Sequence, residues 1–159
     1  MGLKAANMRS CATAILLALL FCVVAWGQDT PQRPADPNRF DAQTASHLLL
    51  QLSEALQGHS QKQFFNLFDL ARMKDGSLFK EQINSFFTQT ESIRVHLNLV
   101  DTSIDGDRAN LAVDAEMEAA PVNGSAITRK SERLYFAVAT ASNSWRFIEL
   151  QPRSFFSLP

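Results

Sequence analysis

Residues 110–118 read NLAVDAEME and residues 129–138 read RKSERLYFAV. Leu111, Val113, Ala115 and Met117 alternate with polar or small neighbours in the first stretch, as Leu134, Phe136 and Val138 do in the second. A period of two places each apolar set on one face of a β-strand. Asn123-Gly124, between them, predicts a two-residue turn that sets opposite one another residues whose numbers sum to 247. Val113 then faces Leu134 and Leu111 faces Phe136 on the apolar side, while Glu118 faces Arg129 and Asp114 faces Arg133 on the other. Apolar pairing and charge pairing select the same register, and a slip of one residue would break both.

Working outward, Ile93, Val95, Leu97 and Leu99 alternate in the same way ahead of Asp105-Gly106-Asp107. A two-residue turn there would put His96 and Asn98 among the apolar positions. A three-residue loop at 105–107 is therefore expected, aligning Leu99 with Val113, Val95 with Met117, Arg94 with Glu118 and His96 with Glu116. After Ser142-Asn143-Ser144 a fourth strand carries Trp145 and Phe147 towards one face and Ile148 and Leu150 towards the other, so both faces want cover.

Before residue 90 the rhythm is helical. Leu48, Leu49, Leu52, Ala55 and Leu56 form one stripe from Asp41 to a stop at Gly58. Ser60 with Gln63 resembles a capping box opening a second helix to about Arg72, whose Phe64, Phe65, Leu67, Phe68 and Leu70 cover more than one face. Lys74-Asp75-Gly76-Ser77 breaks the pattern, and Leu78, Phe79, Ile83, Phe86 and Phe87 define a third helix. So much phenylalanine reads as core packing rather than a ligand cage. The expected fold is α+β, with three N-terminal helices packed in a curved four-stranded antiparallel meander spanning residues 41–157.

At the N-terminus, Lys4 and Arg9 precede a run from Ala12 to Trp26 interrupted only by Thr13, and Ala25-Trp26-Gly27 offers small residues where a signal peptidase reads them. The fifteen residues of the run rise about 22 Å as a helix, short of a hydrocarbon core of about 30 Å. Residues 1–27 are read as a signal peptide, with an uncleaved anchor to an envelope assembly as the alternative. Residues 28–40, with Pro31, Pro34 and Pro37, read as a flexible spacer. Cleavage would remove both cysteines, Cys11 and Cys22, and leave 132 residues stabilised by packing alone. It would also leave 13 basic against 16 acidic side chains, a charge of −3 that attracts neither nucleic acid nor an anionic membrane. The exported product would be periplasmic or secreted.

Three helices followed by four alternating strands and closing in Trp145-Arg146-Phe147-Ile148 resemble the nuclear transport factor-like superfamily, which includes SnoaL-like and ketosteroid-isomerase-like proteins. The likeness is one of architecture over about residues 42–156, with no universal catalytic motif to match. It implies a cystatin-like cone, with a pocket at the open end in many members and dimers formed through the sheet in many. Members range from isomerases and cyclases to binding adaptors, so the fold carries little functional weight.

In the enzymes of that superfamily an interior carboxylate moves a proton. Here Asp101, Lys130 and Glu132 are the ligand-pocket candidates on the helix-covered side, with Tyr135 placed on the opposite face. Their plainer readings are a polar strand end for Asp101 and a solvated rim for the other two. No matched catalytic set emerges. His47, His59 and His96 lack the spacing of a metal site, and neither a phosphate loop nor a nucleophile elbow is present, so no cofactor or metal is expected. On the outer sheet face, Val100, Ala112, Tyr135, Ala137 and Ala139 line up beside a charged ladder of Arg94, Asp114, Glu118, Arg129 and Arg133. With Trp145 they are the interface candidates for a second copy or a protein partner, unless the alanines are merely tolerated there. The leading expectation is a non-catalytic exported binding or dimerising module. The runner-up is a small-molecule binder, for a small apolar ligand, or a SnoaL-like enzyme using the cone.

Overall fold

The computed structural model describes residues 40–124, 126–141 and 144–158. The residues read as a signal peptide and nearly all of those read as a spacer lie outside them, as do Ser142 and Asn143 of the last turn. Three helices, α1 (Ala42–Gln57), α2 (Gln61–Asn66) and α3 (Gly76–Gln89), precede strands β1 (Thr90–Asp105), β2 (Arg108–Pro121), β3 (Thr128–Ala141) and β4 (Ser144–Gln151). A short 3-10 helix, Arg153–Phe156, follows. The strands form one antiparallel sheet in the order β1-β2-β3-β4.

Both ends of α1, the start of α2 and the end of α3 are satisfied by named groups. Asp41 Oδ1 accepts from the Thr44 N–H at 2.7 Å and opens α1. At its other end Gly58 keeps an ordinary φ of −76°, and the left-handed position falls on His59, φ 52°. The His59 and Ser60 amides donate to the Leu56 and Ala55 carbonyls, closing a Schellman motif. Ser60 then caps α2 through its hydroxyl, as expected. The last carbonyls of α3 receive Thr90 Oγ1 at Phe86 (2.8 Å) and His59 Nε2 at Phe87 (2.8 Å), so α3 passes into β1 without a loop.

Helix α2 ends at Asn66 rather than near Arg72, because the chain pairs with the sheet instead. The Phe147 amide donates to the Leu67 carbonyl and the Asp69 amide donates to the Phe147 carbonyl, both at 2.9 Å, which covers part of the β4 edge. Gly76 starts α3 against this segment. A Cβ there would stand 2.2 Å from the Leu70 carbonyl oxygen.

The β2–β3 register is the expected one throughout, from Ala119 opposite Thr128 to Arg108 opposite Ala139. The turn is not the expected tight one. Pairing stops at Ala119–Thr128, and β2 runs on beside β1 and the end of α3, with the Val122 amide donating to the Gln89 carbonyl. Between β1 and β2 the far half aligns Leu99 with Val113 and Val95 with Met117, as expected. Near the turn Asp105 pairs with Arg108, so the loop is two residues, Gly106-Asp107, rather than three. The two registers are reconciled by a bulge at Val100, where one extra residue absorbs the slip. Gly106, φ 60°, supplies the left-handed position of that turn. Another bulge, between Ala137 and Val138 of β3, leaves Ile148 as the extra residue of β4. Phe147 and Leu150 therefore both face the core, contrary to the alternation read from sequence.

Candidate functional site

The centre of one face of the sheet is closely packed. Along β2, Ala109, Leu111, Val113, Ala115, Met117 and Ala119 are all buried against the helices, in one cluster with Leu134 and Phe136. Phe64 sits at its centre, with ring centroids of Phe68 at 4.9 Å, Phe87 at 5.8 Å, Phe156 at 6.0 Å and Phe79 at 6.2 Å. Phe68 continues the chain of rings to Phe147 (5.2 Å), and Phe147 to Phe136 (4.9 Å). Rings at these separations leave no room for a ligand among them.

The C-terminal segment adds to this packing. Phe155 and Phe156 are buried in the interior, Phe156 lying 5.7 Å from Phe86. Lys130 fastens them. Its Nζ donates to the carbonyls of Ser154 (2.5 Å) and Ser157 (2.6 Å) and reaches the Ser157 hydroxyl at 3.3 Å. Burial pushes the Lys130 ammonium below its ordinary pKa, the Glu132 charge acting against that shift, and the carbonyl acceptors also favour the charged form. Gln82 adds a bond to the Arg153 carbonyl at 2.7 Å, and Arg153 donates to the Lys74 carbonyl at 2.6 Å.

Of the three pocket candidates, Lys130 and Glu132 stand on the helix-side face, opposite Met117 and Ala115. Glu132 is exposed, and Lys130 is engaged as a clamp. Asp101 is not on that face. The bulge at Val100 reverses the alternation, so Asp101 pairs with Ala112, itself opposite Tyr135, on the outer side. The acid and the phenol expected on opposite faces share one.

The outer face is built in rows across β1, β2 and β3. Arg94, Glu118 and Arg129 form the first; His96, Glu116 and Ser131 the second; Asn98, Asp114 and Arg133 the third; Asp101, Ala112 and Tyr135 the fourth. Arg129 Nε meets Glu118 Oε1 at 2.7 Å, while Arg94 reaches the other carboxylate oxygen only at 3.8 Å. Arg133 grips Asp114 through two nitrogens, at 2.8 and 3.1 Å. The hydrogen bond from Arg129 holds the Glu118 carboxyl below its ordinary pKa, and that from Arg133 does the same for Asp114. Around the fourth row lies a groove of about 360 Å³ floored by Ala112 and Ala137, with Asp101, Tyr135 and Glu149 along it.

The interface candidates separate. Tyr135 and Val100 are exposed, at 56% and 45%, and Ala112 and Ala137 are half-buried. Ala139 is fully buried between Arg108 and Arg146, which takes it out of any contact surface. Trp145 pairs with Thr140 and packs edge-on against Phe40, 4.8 Å between centroids, so this residue is occupied within the chain. Phe155 and Phe156 fold back, but into the interior.

No protein-family model matches the sequence, and no curated protein matches it either. Solved structures do. A nuclear transport factor 2-like superfamily protein from Salmonella enterica serovar Typhimurium superposes with a TM-score of 0.61 at 11% identity, over 68% of this chain and 86% of that one. A conserved protein from Planctomyces limnophilus gives 0.59 at 10%, over 68% and 91%. A hexachlorocyclohexane dehydrochlorinase of type 2 gives 0.53 at 10%, over 68% and 80%. The chain has the nuclear transport factor-like fold. At these identities the likeness is one of fold.

Two structural details of the domain are not legible in the sequence. The Lys130 clamp joins residues far apart in the chain, and nothing local to Lys130 announces its partners. His59 replaces the glycine usual at a left-handed helix end and serves a second helix through its ring. The only cue was a polar residue after Gly58.

Proposed function

We propose that this chain is an exported, non-catalytic binding module whose working surface is the outer face of its sheet, through which two copies associate. The observation that carries this reading is the closely packed interior. Phenylalanine rings and the Lys130-clamped C-terminal segment fill the cone that enzymes of this fold keep open, and Asp101, the acid that would serve such a site, lies outside. What stays accessible is a row-ordered polar face with exposed Tyr135 and Val100. Sedimentation equilibrium of the mature chain tests the reading. Wild type should associate reversibly, and Tyr135→Glu should give monomers with an unchanged melting temperature. A wild type that stays monomeric at all concentrations overturns it.

The alternative, a small-molecule site in the cone, draws on the named dehydrochlorinase of the same fold and on Lys130 and Glu132 at the rim. It requires Phe155 and Phe156 to swing out. Line broadening of their ring resonances on addition of an apolar aromatic compound would favour it over the binding module.

A further inference from the structure

We propose that the free edge of β1 takes up an extended segment of another protein as a fifth, antiparallel strand, with apolar side chains towards the core and acidic ones on the outer face. This goes beyond the association of copies through the sheet face and does not depend on it. The two edges of the sheet differ. β4 is eight residues long, and Leu67 and Asp69 bond to Phe147 along its outer side. β1 is sixteen residues long, and among the described residues only the Gln57 side chain bonds to its outer side, donating to the Val95 carbonyl at 3.3 Å. In an antiparallel strand the N–H and C=O of one residue point to the same side, and successive residues alternate. The Val95 contact therefore marks Leu97 and Leu99 as residues whose backbone groups also turn away from β2. From Ile93 to Leu99 there is no proline, no lysine and no inward-facing charge, the devices that keep an edge from pairing.

The side chains along this edge define what fits it. On the inner face Leu134 and Val113 are completely buried, whereas Leu99, next in their row, is only half-buried, as is Leu97 beside buried Ala115. Between these leucines and α1 runs a groove of about 540 Å³, walled on the helix side by Leu49, exposed Leu50 and Ser53. Every second side chain of an added strand would enter it, the usual way a peptide extends a sheet. On the outer face the first row alternates in sign from Arg129 through Glu118 and stops on a cation, Arg94, whose side chain is 85% exposed and 3.8 Å from Glu118. A carboxylate on the next strand continues the alternation. A second copy of β1 does not supply it. Ahead of the bulge at Val100, the outer-face residues that pair in register are Ser92, Arg94, His96 and Asn98, none of them acidic.

A synthetic strand tests this. The probe is an acetylated, amidated heptapeptide alternating valine and glutamate, with valine at both ends, added to the mature chain and followed by NMR. Shifts should saturate at Val95, Leu97 and Leu99, and exchange of the Leu97 and Leu99 amide protons should slow by about tenfold or more. The same peptide with lysine for glutamate should bind about tenfold more weakly, although the chain's net charge of −1 would favour it by general attraction. Arg94→Glu, at an exposed site, should melt as wild type does and invert that preference. Methylating the valine amide nitrogens, which would face β1, should abolish binding, and methylating those of the glutamates should not. Absence of saturable shifts, equal affinity for the two peptides, or indifference to which amides are methylated would overturn the proposal. A monomeric wild type that takes up the acidic peptide supports it without the face association, and a dimer that ignores the peptide removes this proposal alone.

Discussion

The two faces of β2 obey different rules. On one, Leu111, Val113, Ala115 and Met117 are at most 1% exposed, and the helices leave them no freedom. On the other, Asp114, Glu116 and Glu118 alternate with them in the same strand and meet only water and their cross-strand partners. The inner face stabilises the domain, because buried apolar area contributes about 25 cal/mol per Å², while exposed ion pairs contribute little. Substitutions on the two faces should therefore separate stability from association.

The largest effect belongs to the interior. Phe64→Ala removes the ring at the centre of the cluster and should cost about 3–5 kcal/mol in denaturant unfolding, with no change in the dimer constant of whatever protein stays folded. Gly76→Ala should come next, at about 2 kcal/mol or more, because its methyl group would press on the Leu70 backbone rather than on a side chain that can turn away. Lys130→Met should cost about 1 kcal/mol. Its clearer signature is faster hydrogen exchange at the amides of Phe155 and Ser157, with the centre of the sheet unaffected.

On the outer face the effects on stability are smallest, and pH reveals them best. The Asp114 and Glu118 carboxyls are held below their ordinary values of 3.8 and 4.5 by Arg133 and Arg129. A carboxyl depressed in the folded state adds stability above its ordinary pKa and loses it as pH falls through the depressed value. The melting temperature should thus be flat from neutrality to about pH 5 and fall below about pH 4. In Glu118→Gln that fall should be shallower. A steep loss between pH 7 and 5 would contradict this assignment of the charges.

The same comparison shows what a sequence of this kind discloses. The β2–β3 register was legible because two independent patterns, apolar on one side and ionic on the other, agreed on it. The position of Asp101 was not, because a bulge adds one residue without changing the composition on either side of it. One insertion at Val100 moved an acid from the presumed pocket to the outer surface and turned the expected three-residue loop into Gly106-Asp107. The same cause misled the reading of Phe147 and Leu150. The end of α2 was missed because Phe68 is called into the sheet by a strand 79 residues away, and helical periodicity cannot register such a competitor. Trp145 reads as an interface candidate because its cover, Phe40, comes from two residues ahead of α1.

The central claim is that the outer sheet face, and not the packed interior, is where this protein makes contact. Backbone and side-chain NMR of the mature chain over a dilution series tests it most directly. The account predicts concentration-dependent shifts at Arg94, His96, Asp101, Arg129 and Tyr135, with Lys130, Phe156 and Ser157 unmoved. Shifts confined to Lys130, Glu132 and the C-terminal segment, or no shifts at any concentration, would contradict it.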